Sequence, residues 1–527
     1  MRRLIPTLIA VVLVTVPAAQ GPGARWWAHV RYLASDALQG RDTGSAGHRV
    51  AAEYVAGQFR AIGLRPAGTK GYFQPVLFKQ RRIDESRSRL AIVRAGNAFE
   101  TLTLGDDATI GLRNETPSKQ PIEAPIVFAG YGLQIPETKR DDLAGLNLKG
   151  KVVLLVTGGP ASIPGPLLAH YQSTRWSYLK KAGAIGVLAI RNPKGQDIPW
   201  ERSKLARFQP FLALADPALD ETQAEQIEVT INPASAEKVF AGSGHTGKEI
   251  LALVEAGRDL PRFEIPGSIR ATIVVRETAV ESDNVAAVLA GRDPKLKDEF
   301  VVVTAHLDHV GKGEPINGDA IYNGAMDNAS GIATLIETAA AAAAAKGGFR
   351  RSILFVAVTA EEKGLLGSRY FANHPTVPRQ AIVANLNTDM FLPIFPLRSV
   401  IAQGLEESDL ADDLRRAAGP LKVQVLSDPE PERNAFVRSD QYSFIKVGIP
   451  ALSLKNGYTK GSAEQEIVRR WRSERYHAPS DDLSQPVNLQ AADDFNRFYL
   501  ALVGAVADRP NRPRWYEGSF FGRFVQK

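Results

Sequence analysis

Phe300-Val301-Val302-Val303-Thr304-Ala305-His306-Leu307-Asp308-His309 sets a short apolar run directly against two histidines and an aspartate. The run is rich in β-branched residues and too short for a typical helix, so it fits a strand buried on both faces. Such a strand belongs to a sheet covered by helices, and the flanking sequence supplies both. Ser330 to Ala345 predicts a helix, its run of alanines from Ala339 to Ala345 continuing a strong helix former until Gly347 and Gly348 end it. Ser352 to Val358 and Ala381 to Leu386 predict two further buried strands, and upstream Ala271–Val275 and Val285–Leu289 predict two more. Strand and helix in alternation predict a doubly wound α/β sheet. Between Trp26 and Pro66 lie two amphipathic helices; Val50, Tyr54, Val55, Phe59 and Ile62 form the stripe of the second, which ends at Gly63.

Outside this region the texture changes. From about Pro121 to Pro266, short β-rich runs such as Ile126-Val127-Phe128, Val152 to Val156 and Ile185 to Ile190 alternate with Pro- and Gly-rich loops, which predicts an inserted domain. Its histidines, His170 and His245, stand alone and lack metal-ligand spacing. At the N-terminus, Arg2 and Arg3 precede an apolar stretch from Leu4 to Val14 and then Ala18 and Ala19, the order of a secretory signal peptide over residues 1–19. The chain has no cysteine, which excludes disulfides and thiolate metal sites and leaves metal binding to histidines and carboxylates. A net charge of +7 is spread among 57 acidic residues, and Arg469, Arg470, Arg472 and Arg475 lack the aromatic interleaving of a nucleic-acid surface, so no nucleic-acid partner is expected.

Ligands of open α/β sheets bind beyond the carboxyl ends of the strands. The candidate residues fall there: His306 after the first strand, Glu361 and Glu362 after Ser352 to Val358, and Asp389 after Ala381 to Leu386. Asp327 sits in the loop Asn323 to Gly331 before the alanine-rich helix, and His477 lies later in Tyr476-His477-Ala478-Pro479-Ser480-Asp481. Singly, these residues have ordinary explanations, an N-cap for Asp327 or solvated carboxylates for the Glu pair. Together, two histidines and several carboxylates match the donor needs of two divalent zinc ions.

These residues resemble the zinc peptidases that include bacterial leucyl aminopeptidases, vacuolar aminopeptidase and glutamate carboxypeptidase, with the transferrin receptor as a non-catalytic relative. The resemblance rests on Ala305 to His309, Gly324 to Gly331, Thr359 to Ser368, Asn387 to Met390 and Tyr476 to Asp481, in the family's order. The turn Gly40-Arg41 to Gly44-Ser45 is similar to the family's opening segment, and Ala129 to Gly132 with Leu148 to Val153 resembles its inserted protease-associated domain. The resemblance implies a zinc-peptidase (phosphorylase/hydrolase-like) fold. It would divide the chain into a signal peptide at 1–19, the N-terminal part of the peptidase at 20–115, the inserted domain at 116–268, the catalytic domain at 269–510 and a tail at 511–527.

It implies two Zn2+ per chain: Asp327 bridging, His306 and Asp389 completing one ion, Glu362 and His477 the other. Glu361 would be the general base that takes a proton from the attacking water. Asp308 and Asp481 are expected to hold the far ring nitrogens of His306 and His477. His309 receives no role, and Gln441 stands where the family segment usually has His.

The expected activity is secreted aminopeptidase action on peptide N-termini, in the periplasm or outside the cell, without stable membrane insertion. A glutamate-type carboxypeptidase on the same metal site, a receptor-like binding module and a one-zinc glutaminyl cyclase are the competing readings. Intact ligands argue against the second, and the inserted domain against the third.

Overall fold

The strand Phe300–His306 lies near the middle of a ten-stranded mixed sheet. In this computed structural model the described residues are 21–111, 121–194, 198–221 and 225–525, so the predicted signal peptide at 1–19 lies outside them. Ser352–Val358, Phe300–His306, Ile382–Thr388 and Ala451–Asn456 run parallel through the centre. Val275–Leu289 and Phe73–Ile83 extend the sheet antiparallel on one side, and Ser399–Gln403 joins the other edge of the parallel set. Every residue of Ser352–Val358 and Ile382–Thr388 is buried, as expected for strands covered on both faces.

Ser330–Ala344 and Leu489–Asp508 pack with Pro22–Leu33 and Ala46–Ile62 into the largest apolar core. Trp26 fixes the first helix there, its indole N–H donating to the Ser330 carbonyl and to Thr334 Oγ1, each at 3.1 Å. Ala46–Ile62 is capped by Ser45, whose hydroxyl accepts the His48 N–H, and ends at Gly63 with φ +88°.

A second sheet of eight strands has its own core, with Ile122–Phe128, Val152–Val156, Gly186–Ile190 and Ile227–Ile231 running parallel. Its extent differs from the 116–268 expected: Arg89–Val93, Phe99–Leu102 and Ala108–Ile110 already belong to it, while Phe211–Leu214 returns to the first sheet. The expected strand Ala271–Val275 is divided. Ala271 and Thr272 finish Phe263–Thr272 of the second sheet, and Val275 begins the 15-residue Val275–Leu289 of the first. Most of that long strand before Val285 is polar and at least partly exposed, because it pairs with Phe73–Ile83 as a ribbon outside the apolar core; only its last segment carries a hydrophobic signal.

The second unit leans on the first through His170 Nδ1, 2.9 Å from the Tyr442 hydroxyl, and through Arg202, whose Nη1 donates to the Ser473 carbonyl at 2.7 Å. Among the described residues no helix is long and apolar enough to cross a membrane.

Candidate metal centre

Strand ends bring the predicted residues together. Asp327 is the junction: its Oδ1 lies 3.3 Å from His306 Nε2 and its Oδ2 3.3 Å from His477 Nε2. His306 Nε2 is also 3.3 Å from Asp389 Oδ1, and His477 Nε2 is 3.0 Å from Glu362 Oε2. The ligand atoms of His306, Glu361 and Asp389 all lie within 4.8 Å of one another, as do those of His309, Asp327 and Glu362.

The backbone that holds this cluster is tied down by buried polar groups. Asn328 Oδ1 accepts the N–H of Gly331 at 3.0 Å and of Met390 at 3.3 Å, while its Nδ2 donates to the Thr388 carbonyl, so the Asp327 loop is tied to the segment that carries Asp389. Gly324 opens that loop at φ +61°, and an added Cβ would sit 2.2 Å from the Asp327 carbonyl oxygen and 2.5 Å from the His309 ring. Ala360, Met390 and His477, beside or among the candidate ligands, also adopt positive φ of 57°, 54° and 50°. A left-handed conformation costs a non-glycine residue about 1 kcal/mol, and here it turns the side chains of one rim inward.

Asp308 and Asp481 are fully buried at the site, but their carboxylates hold main chain rather than ring nitrogens. Asp308 accepts the N–H of Glu361 at 3.0 Å, the N–H of Glu362 at 3.3 Å and the Thr43 hydroxyl at 3.2 Å. Asp481 accepts the N–H groups of Met326 and Asp327, each at 3.0 Å. Each carboxylate therefore fixes the peptide that carries a candidate ligand. The far nitrogen of His306, Nδ1, is instead 3.1 Å from the main-chain oxygen of Asp308; as an N–H it donates there, so that a bound metal would meet the Nε2 lone pair.

Arg41 completes the frame. Its buried guanidinium donates to the carbonyls of Leu33, Leu307, Asn323 and Gly324 at 2.5–3.0 Å, clasping the peptide between His306 and Asp308 to the start of the Asp327 loop.

The buried histidines and carboxylates are strongly coupled. Burial opposes charge on both imidazoles, yet Glu361, Asp327 and Asp389 hold His306 well above its ordinary range, and Glu362 with Asp327 holds His477 up at about 10. Burial likewise works against Asp327, Glu362 and Asp389, but the histidines keep all three below the usual carboxylate range. Burial, with Asp389, Glu362 and Asp440 nearby, drives Glu361 the other way, well above. Oxygen and imidazole donors crowded in a buried, anion-rich space are the chemistry of a divalent metal centre, and this donor set fits zinc.

Two further residues adjoin the cluster. His309 is fully buried with Nδ1 2.7 Å from Glu362 Oε1, a contact foreshadowed only by its place three residues after His306. Gln441 is equally buried and accepts from Asn387 Nδ2 at 2.8 Å, bracing the strand Ile382–Thr388 that precedes Asp389. Beyond the cluster opens a cleft of about 1940 Å³, walled by Gly158 and Arg175 of the second unit and by Glu361, Glu362 and His477 of the first.

Residues 284–503, which carry every candidate ligand, match the profile of Peptidase family M28, so the resemblance read from the motifs holds over this segment. The leupeptin-inactivating enzyme 1 of Streptomyces exfoliatus is 30% identical over 220 residues, 40% of this chain and 45% of that protein. A probable leucine aminopeptidase 2 of Aspergillus oryzae is 27% identical over 250 residues, 44% and 46% respectively. The matched region thus spans about half the length of these curated relatives. Among solved structures, an aminopeptidase from Aneurinibacillus sp. strain AM-1 superposes with a TM-score of 0.55 at 19% identity, covering 93% of this chain and 95% of that one. A zinc aminopeptidase from Bacillus subtilis gives 0.50 at 18%, covering 93% and 96%. At this identity the likeness is one of fold, a mixed α/β architecture.

Proposed function

We propose that this chain is an exported two-zinc exopeptidase that removes residues from the free N-termini of peptides. The observation that carries the reading is the position of Asp327, whose two carboxylate oxygens face different histidines at 3.3 Å each. In this reading Asp327 would be shared by two ions, with His306 and Asp389 holding one and Glu362 and His477 the other. Zinc bound there would supply the Lewis acidity that activates a water and polarises the scissile carbonyl. Glu361 is the proton carrier: it has no share in the Asp327 contacts and stands with its carboxylate within 4.8 Å of the His306 and Asp389 donor atoms, placed to accept the attacking water's proton and return it to the leaving amine.

Asp308 and Asp481, by gripping the peptides of Glu361, Glu362 and Asp327, keep base and ligands in register. The second unit acts as a protease-associated domain that walls the cleft and admits chain ends and flexible peptides. The predicted signal peptide supports export. Leucyl-p-nitroanilide and its N-acetyl derivative test the reading: the free amine is hydrolysed and the blocked one is not, and Glu361→Gln lowers kcat by roughly 10²–10⁴-fold. Equal hydrolysis of the two substrates would overturn it.

A further inference from the structure

A second, smaller cavity of about 100 Å³ opens directly beside Asp389. It has room for on the order of seven waters, or one side chain of glutamate size. Part of its wall is apolar, from Leu392, Ile401 and Val468, which alone would suit a leucine side chain. Its charges do not. Lys455 enters from the strand Ala451–Asn456, whose parallel neighbour leads into Asp389; Leu454 stands opposite Thr388 in that register, and both Asp389 and Asp428 feel the Lys455 charge. Among the described residues neither Lys455 nor Arg438, at the exposed rim, has an ion-pair partner.

The carboxylates nearby are already committed. Glu430 takes Arg472 through both oxygens, at 2.8 and 3.1 Å, and accepts the Tyr458 hydroxyl at 2.6 Å. Asp428 accepts the Glu430 N–H at 2.9 Å, and burial pushes its carboxyl up. The arginine cluster singled out in the sequence is likewise engaged: Arg469 pairs with Glu466 and Arg470 with Glu474 on their own helix. Among the described residues, two cations without an ion-pair partner therefore line this cavity, Lys455 in its wall and Arg438 at its rim.

We propose that this cavity binds the carboxylate of an acidic residue flanking the scissile bond, with Lys455 selecting it and Arg438 at the rim. A charge-assisted hydrogen bond to the partly buried Lys455 discriminates such a group from an isosteric apolar one. The inference rests on the reading that the adjoining centre cleaves peptide bonds.

Four α-linked p-nitroanilides (Glu, Asp, Leu, Lys) and N-acetyl-Ala-Glu are assayed with the zinc-loaded wild type, Lys455→Met and Lys455→Glu, with zinc content and melting temperature recorded for each. Glu is expected to exceed Leu in kcat/KM, Lys455→Met to lower the Glu:Leu ratio tenfold or more, and Lys455→Glu to turn the preference toward Lys. If N-acetyl-Ala-Glu alone is cleaved and Lys455→Met lowers that cleavage tenfold, the carboxylate site stands and the N-terminal specificity falls. If Leu is preferred and neither variant moves the ratio, the carboxylate site falls and the aminopeptidase stands. Should the wild type turn over none of them, calorimetric binding of free glutamate against leucine decides: tighter glutamate, lost in Lys455→Met, supports the site, and equal binding refutes it.

Discussion

Arg41→Met removes the clasp at the centre of the frame while nearly preserving side-chain length. The guanidinium is 1% exposed and donates to four carbonyl oxygens, those of Leu33, Leu307, Asn323 and Gly324. Hydrogen bonds from a charged donor are worth about 1.5–3 kcal/mol each, so the gross loss is roughly 6–12 kcal/mol. Part is returned, because burial holds the guanidinium down at about 10 despite the pull of Asp481, Asp308, Asp327 and Glu362, and removing the charge recovers roughly 3 kcal/mol. Further relief comes from carbonyls that find water or neighbouring donors. The remaining cost matches the range of about 3–5 kcal/mol for uncoupling a buried charge from its partners. For a domain of this size that lowers Tm by roughly 10 °C. Differential scanning calorimetry of Arg41→Met and Arg41→Lys at pH 7 checks it: both melt early, Arg41→Met further, and both bind zinc more weakly because the His306 and Asp327 segments lose their common anchor. A melting temperature within 2 °C of wild type for Arg41→Met would refute the clasp.

Gly324→Ala drives a Cβ to 2.2 Å from the Asp327 carbonyl oxygen, so the loop must shift and both activity and zinc retention are expected to fall at least tenfold; wild-type zinc content in this variant would show the loop to be tolerant. Asp481→Ala strips acceptors from the N–H groups of Met326 and Asp327 and is expected to weaken zinc binding by 10- to 100-fold, measured by competition with a chelator. Acid sensitivity follows from two histidines held neutral: burial pulls His48 down to about 3 and His170 to about 4. Unfolded histidine binds its proton near 6.5, so between pH 6.5 and about 4 the unfolded chain carries more protons and stability falls with pH, by about 1.4 kcal/mol per unit for fully buried His48. His48→Gln should flatten that slope in urea unfolding at pH 7 and pH 5, and an unaltered slope would remove His48 as its cause.

The legible part of the chemistry was the part written locally. A buried strand followed closely by a polar residue marks a strand end, which is why His306, Asp389 and the Glu361-Glu362 pair read as one rim from sequence alone. What stayed hidden depends on distant pairing. Asp308 looks like a histidine partner because it is two residues from His306, but only the neighbouring strand Ser352–Val358 brings the Glu361 and Glu362 amides to its carboxylate. Arg41 gave no sign of its role, since all four of its acceptors are main-chain carbonyls, which any residue supplies. Val275–Leu289 escaped as a single strand because its ribbon half is polar, and hydrophobic periodicity reports only edges that meet a core. Lys455 was hidden for a different reason: its meaning lies in neighbouring ions such as Arg472 and Glu430 that are already paired.

Native mass spectrometry of the purified chain, wild type beside Glu361→Gln and Asp327→Ala, tests the central claim most directly. The account predicts two zinc ions on the wild type, two on the inactive Glu361→Gln, and fewer than two on Asp327→Ala, which has lost the carboxylate facing both histidines. Two ions retained by Asp327→Ala, or one at most on the wild type under saturating zinc, would contradict it.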